Sequence, residues 1–216
     1  MTSKLDSELL EQLNRHKIWV VSAGKAGQQL LLEDADLSDL DLSKVDLTEA
    51  LLPGAKLDGV VLFQSDLFGA NLASASLVRA DLAESLLNKS NFDHATLTNA
   101  RMRRAKIIRA SFVEADLSGA DLSEADLSKS NFSGANLEGA ILRGSNLARA
   151  TLTGARLAGV DLHEATGLES VLAEWVDNGA KGASVRLTGD EIRKWLTHAA
   201  RGRSRQTASA VFVANN

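Results

Sequence analysis

From Leu32 to Leu162 a large apolar residue recurs at every fifth position, 27 times without an insertion. Most are Leu, with Phe92, Met102, Ile107, Phe112 and Phe132 the exceptions. Two residues before each sits a second, mostly small series: Ala50, Ala55, Ser65, Ala70, and on to Ala155 and Val160. Asp or Asn often falls between the two, as in ADLSGADLSEADLS at 115–128. A period of five fits neither regular element. On a helix the Leu stripe would drift by about 140° per repeat and cover every face. On a flat strand alternate Leu residues would point to opposite sides. Each unit therefore contains a turn, with Leu and Ala inward and the other three residues outward. Gly stands two residues after the large residue nine times, and the chain's single proline, Pro53, precedes Gly54 in that slot. Pro then Gly is what a type II turn takes at its two central positions.

The ends depart from this pattern. Residues 3–19 read as an N-terminal helical cap, with Ser3 capping a helix that aligns Leu5, Leu9, Leu10 and Leu13. IWVV (18–21) then leads into the first repeats. After Thr166-Gly167 a short helix is expected over Leu168–Val176, ended by Asn178-Gly179. A second helix starts at Thr188, with Glu191 completing a capping box and Ile192, Trp195, Leu196 and Ala199 on its apolar face. RGRSRQT (201–207) reads as a basic linker, and AVFV (210–213) as a β-prone segment. The organisation is thus a cap over 1–29, repeats over 30–165, and a helical cap and tail over 166–216. Trp175, Val176, Ile192, Trp195 and Leu196 exceed what one cap needs, so a homodimer through them is expected.

The units at 30–164 resemble the pentapeptide repeat family, whose pattern is A-(D/N)-L-x-x. That resemblance implies an all-β solenoid: a right-handed, four-sided β-helix with four pentapeptides per coil, here about seven coils. Phe92, Phe112 and Phe132 lie 20 residues apart, so on four sides they stack in one column.

Composition narrows the chemistry. The chain has no Cys, which excludes disulfides, zinc–thiolate sites and thiol catalysis. The four His are not at metal-ligand spacing, and AGKAG (23–27) lacks the pattern of a phosphate loop. The recurring Asp residues follow from the repeat and read as a solvated face. No enzyme, cofactor or metal is expected. No apolar run is long enough to cross a membrane, and the charged N-terminus does not read as a signal peptide, so a cytoplasmic protein is expected.

The outward residues are free of the repeat and carry the functional signal. Arg101, Arg103, Arg104, Lys106 and Arg109 form a basic belt, whereas residues 30–100 hold 12 acidic and 4 basic residues. Val61, Phe63, Phe68, Leu86 and Ile108 are apolar where the repeat expects polar side chains. On four sides these ten fall on two adjacent faces, a candidate contact surface for an acidic protein partner. The expected function is a protein-binding scaffold. An alternative comes from the resemblance, since some family members mimic DNA, bind DNA gyrase or topoisomerase IV and protect it from quinolones or natural-product poisons. Direct nucleic-acid binding is not expected, because acidic coils flank the belt.

Overall fold

The computed structural model describes residues 7–179 and 183–201. Its body is a tube in which each residue preceding a core position bridges in parallel to the residue 20 positions on: Leu31 to Leu51, Asp36 to Lys56, Asp41 to Val61, Asp46 to Asp66, and so on along the chain. Four such bridge columns make four faces, called faces 1 to 4 in that order. Coils are counted from residue 30, twenty residues each. The interior is a continuous apolar column of Leu with the small series at the corners, nearly all fully buried. Phe92, Phe112 and Phe132 stack within it at 5.0 Å between ring centres, with interplanar angles of 3° and 6°.

The pentapeptide follows from counting backbone amides. Take Leu52 as the core position. Its N–H donates to Asn71 in the next coil, Leu51 N–H donates back to Leu30, and Gly54 N–H donates forward to Ala73. Ala55 N–H closes the turn on the Leu52 carbonyl. Only the residue after the core position lacks a backbone acceptor, and Pro53, which has no N–H, stands there. In the other units that orphan amide needs a partner. In fourteen of them it is Oδ1 of the Asp or Asn two residues earlier, as in Ser43 N–H to Asp41 and Ser123 N–H to Asp121. The D/N position therefore has a structural duty beyond facing solvent. Where it is lost, an Asx residue one coil below stands in: Asp58 for Val78, Asp93 for Val113, and Asn88 for Ile108. The corner residue two after the core position has positive φ in all 27 units, in nine of them as Gly.

Both ends are closed. Helix α1, Ser7–Val21, lies over the first coil, with Leu9 buried and Leu13 packed beside it. Leu10 is exposed, so the expected grouping of Leu10 with Leu9 and Leu13 does not hold; Ser3 and Leu5 lie outside the described residues. IWVV forms the end of α1 rather than a lead into the coils. The imidazole of His16 is fully buried, and its Nδ1 accepts the Leu30 N–H at 3.0 Å.

The C-terminal end corrects the sequence reading at several points. Leu168–Ser170 is one 3-10 turn, and Trp175–Asp177 is a strand, β1, not the end of a helix. It pairs antiparallel with β2, Arg186–Thr188, and helix α2 follows at Asp190–Ala200. The ladder continues through this region with one extra residue, Thr151 bridging Leu172 and Arg156 bridging Asp177. That insertion breaks the five-residue period and hides the last coil. Glu191 does reach back to the Thr188 N–H at 3.1 Å, but Gly189, not Thr188, is the residue before the helix. Val176, Ile192 and Leu196 are buried in this chain's own core, so those three proposed dimerisation residues cap the tube instead. Trp175 and Trp195 are half-buried, with Arg186 stacked 4.4 Å over the Trp175 ring. AVFV lies outside the described residues.

Candidate partner-binding surface

Among the described residues the interior of the tube is filled by buried side chains. A cavity of 10 Å³, enough for a single water, lies under α1 between Leu9, Leu13 and the Leu residues of the first coils. No group of three or more His, Asp or Glu is arranged to hold a metal among the described residues. No helix there is long and apolar enough to cross a membrane.

Bridge register places all ten candidate residues on faces 3 and 4. Val61 and Phe63 lie on face 3 and Phe68 on face 4 of coil 2, and Leu86 follows on face 4 of coil 3. Arg101, Arg103 and Arg104 lie on face 3, and Lys106, Ile108 and Arg109 on face 4, of coil 4. Two expectations change. The five apolar residues are half-buried rather than open to water, each flanked along its column by the coils above and below. The basic belt is also partly neutralised, three of its five cations meeting two carboxylates. Arg101 pairs with Asp81 at 3.2 Å, and Arg103 and Arg104 both grip Glu124. Hydrogen bonds from Arg104 and then Arg103 hold the Glu124 carboxyl below its ordinary value, and the Glu124 bond raises Arg104. Lys106 and Arg109 remain without a carboxylate among the described residues.

The tube carries a second basic feature that the sequence reading missed. At the corner after face 4, successive coils carry Lys89, Arg109, Lys129 and Arg149, all exposed. None forms an ion pair among the described residues; Lys89 Nζ instead sits 5.0 Å from the centre of the Phe68 ring. The neighbouring corner, after face 3, neutralises itself: Gln64 donates to Glu84, and Arg104 meets Glu124. The signal lay in the sequence at a spacing of 20, which only the four-sided register makes meaningful. Acidic residues gather at the other end, where coil 1 holds Glu33, Asp34, Asp36, Asp39, Asp41, Asp46 and Glu49 against Lys44.

Comparison with known proteins agrees with this architecture. The profile for pentapeptide repeats matches residues 31–67, 65–104, 97–134 and 130–166. A trypsin-treated variant of QnrB1, a plasmid-mediated fluoroquinolone resistance protein, superposes with a TM-score of 0.55 at 20% identity, over 64% of this chain and 77% of its own. A pentapeptide repeat protein of the Arabidopsis thaliana thylakoid lumen is 37% identical over 40% of this chain and 63% of its own, with a TM-score of 0.34. HetL, involved in heterocyst differentiation regulation in the cyanobacterium Nostoc sp. strain PCC 7120, is 27% identical over 84% of this chain and 100% of its own, with a TM-score of 0.28. No curated protein matches the chain.

Proposed function

This chain belongs to the pentapeptide repeat family, and from that premise we propose that it is a non-enzymatic rod that binds a protein partner through faces 3 and 4. One observation carries the reading. The repeat fixes its inward residues and the Asx position, and both outward phenylalanines, with Val61, Leu86 and Ile108, lie on these two adjacent faces of coils 2 to 4, while Leu31, Leu51, Val78, Val113 and Ile141 are apolar outward residues scattered elsewhere on the tube. The half-buried Phe63 and Phe68 rings are pre-ordered by their columns, so burying the rest of each costs little side-chain entropy, as an interface anchor requires. Lys106 and Arg109, unneutralised among the described residues, would orient an acidic partner and speed its approach. Photo-crosslinking tests this. A crosslinking residue at Phe63 should capture a discrete protein in an extract of the native cells, and one at Ser133, on face 1, should not. Equal capture at both positions, or none at either, would sink the reading.

A second reading, protection of DNA gyrase or topoisomerase IV from poisons, has one observation in its favour: the dense carboxylates of coil 1. B-DNA presents a charge every ~1.7 Å, and only this end approaches such density, while the corner after face 4 has the opposite sign. Supercoiling assays with gyrase and a quinolone, with and without this protein, distinguish the two. Rescue of supercoiling would favour the second reading.

A further inference from the structure

We propose that the column Lys89–Arg109–Lys129–Arg149 is a docking rail for an acidic α-helical segment of a partner protein, an inference that rests on the protein-binding reading above and specifies the partner's chemistry. The four residues occupy one corner column along the tube, one per coil by the bridge register, and the coils repeat at the 5.0 Å seen in the stacked phenylalanines. They lack carboxylate partners among the described residues, yet six of the chain's other cations on the tube and α1 have found them. The columns on either side are neutral: Asn88, Ile108, Ser128 and Ala148 before the corner, Asn91, Ser111, Asn131 and Thr151 after it. The result is an uncompensated cationic strip about 15 Å long, bordered by uncharged side chains.

Spacing selects the occupant. An α-helix advances 5.4 Å per turn, so Glu or Asp at i, i+4, i+7 and i+11 spans about 16 Å and meets the four cations nearly in step. Alternate side chains of an extended strand repeat at about 6.7 Å and would be a whole rung out by the fourth cation. A nucleic-acid duplex would extend past the strip toward coils 2 and 1, where Glu49 occupies the same column and Asp66 and Asp46 the same face. Beside the rail, Phe68 and Ile108 lie half-buried on face 4 and give the helix an apolar margin.

The test uses the full chain and a fluorescent alanine-based helical peptide with four Glu at i, i+4, i+7 and i+11. An isomeric peptide with the same four Glu spread around the helix is the comparison, and a 12-base-pair DNA duplex is a third probe. Fluorescence anisotropy at low salt should show the aligned peptide binding about tenfold more tightly than its isomer and than the duplex, and weakening steeply with added salt. The double variant R109E/K129E should weaken binding of the aligned peptide by at least about tenfold. Its fold should survive, because Glu114 and Glu124 occupy equivalent corners at φ 56° and 59°; circular dichroism checks this. Arg79→Glu, reversing an exposed cation at another corner, should leave binding unchanged. Equal binding of both peptides, tighter binding of the duplex, or indifference to R109E/K129E overturns the rail. If crosslinking at Phe63 still captures a protein when the rail fails, only the rail is lost. If the peptide binds but Phe63 captures nothing, the wider reading of faces 3 and 4 is what fails.

Discussion

Asp121 shows what the residue before each core position does. Its Oδ1 accepts both the N–H and the hydroxyl of Ser123, filling the amide that the coil ladder leaves over. Asp121→Ala should therefore cost about 1 kcal/mol in urea unfolding, while Asp121→Asn, which keeps the acceptor, should stay within about 0.5 kcal/mol. Equal losses for the two would show that charge, not acceptance, matters there. The sequence displayed the polarity of this position, but not its duty, since periodicity says nothing about which amide lacks an acceptor. The corner was better marked, because Gly and Pro53 announce positive φ directly. Eighteen of the 27 corners nonetheless hold side chains, and each bears left-handed strain. Ser74, at φ 59°, lies in the same column as Gly54 and Gly134. Ser74→Gly should stabilise the tube by up to about 1 kcal/mol, read from the denaturation midpoint, and a loss of stability would refute the strain.

At the scale of elements, the core columns were legible and the caps only partly so. Leu and Phe share the face 1 column, so Phe112→Leu should cost under about 1.5 kcal/mol and Phe112→Ala about 3–5 kcal/mol, because only the second opens a cavity between two rings. β1 was read as helix because the single extra residue near 167 shifts Leu172, Val176 and Asp177 out of the five-residue frame, leaving a short apolar run with no period to interpret. The burial of His16 was not legible, since nothing in its neighbours announces that α1 folds down onto the tube. Burial lowers its pKa from the ordinary 6.5, with Asp46 and the Thr48 backbone opposing. The fold thus holds the neutral ring, and the unfolded chain takes up a proton first on acidification. Stability from this cap is fully present above pH 6.5 and is lost as pH falls from there through the lowered value. The melting temperature should drop between pH 7 and about pH 5, and His16→Asn should flatten that drop. An unchanged slope in the variant would remove His16 from the cause. Asp36 and Asp41, held low chiefly by hydrogen bonds from the Ser38 and Ser43 side chains, titrate in a separate window at lower pH.

At the scale of the whole molecule, the contact surface was half legible. Counting charges along the chain picked out the Arg101–Arg109 belt because its members are adjacent in sequence. Three of them are paired across coils, where a linear count cannot see it. The column that stays uncompensated runs from Lys89 to Arg149, and emerges only when outward positions are sorted by corner. Such a column has a physical cost in the free protein. Four like-charged side chains rise from corners about 5 Å apart, where water weakens but does not remove their repulsion. Lys129→Gln takes one member from the middle of the row and should raise the melting temperature at low salt by about 1 °C or more. The gain should fade at about 1 M salt, where the screening length of about 3 Å falls below the spacing of the column. Arg156, bonded to Glu138 at 3.0 Å, is the opposite case, and Arg156→Gln should lower the melting temperature or leave it unchanged. Differential scanning calorimetry at two ionic strengths decides the matter. If both substitutions shift stability in the same direction, general net charge rather than the aligned column governs the rod.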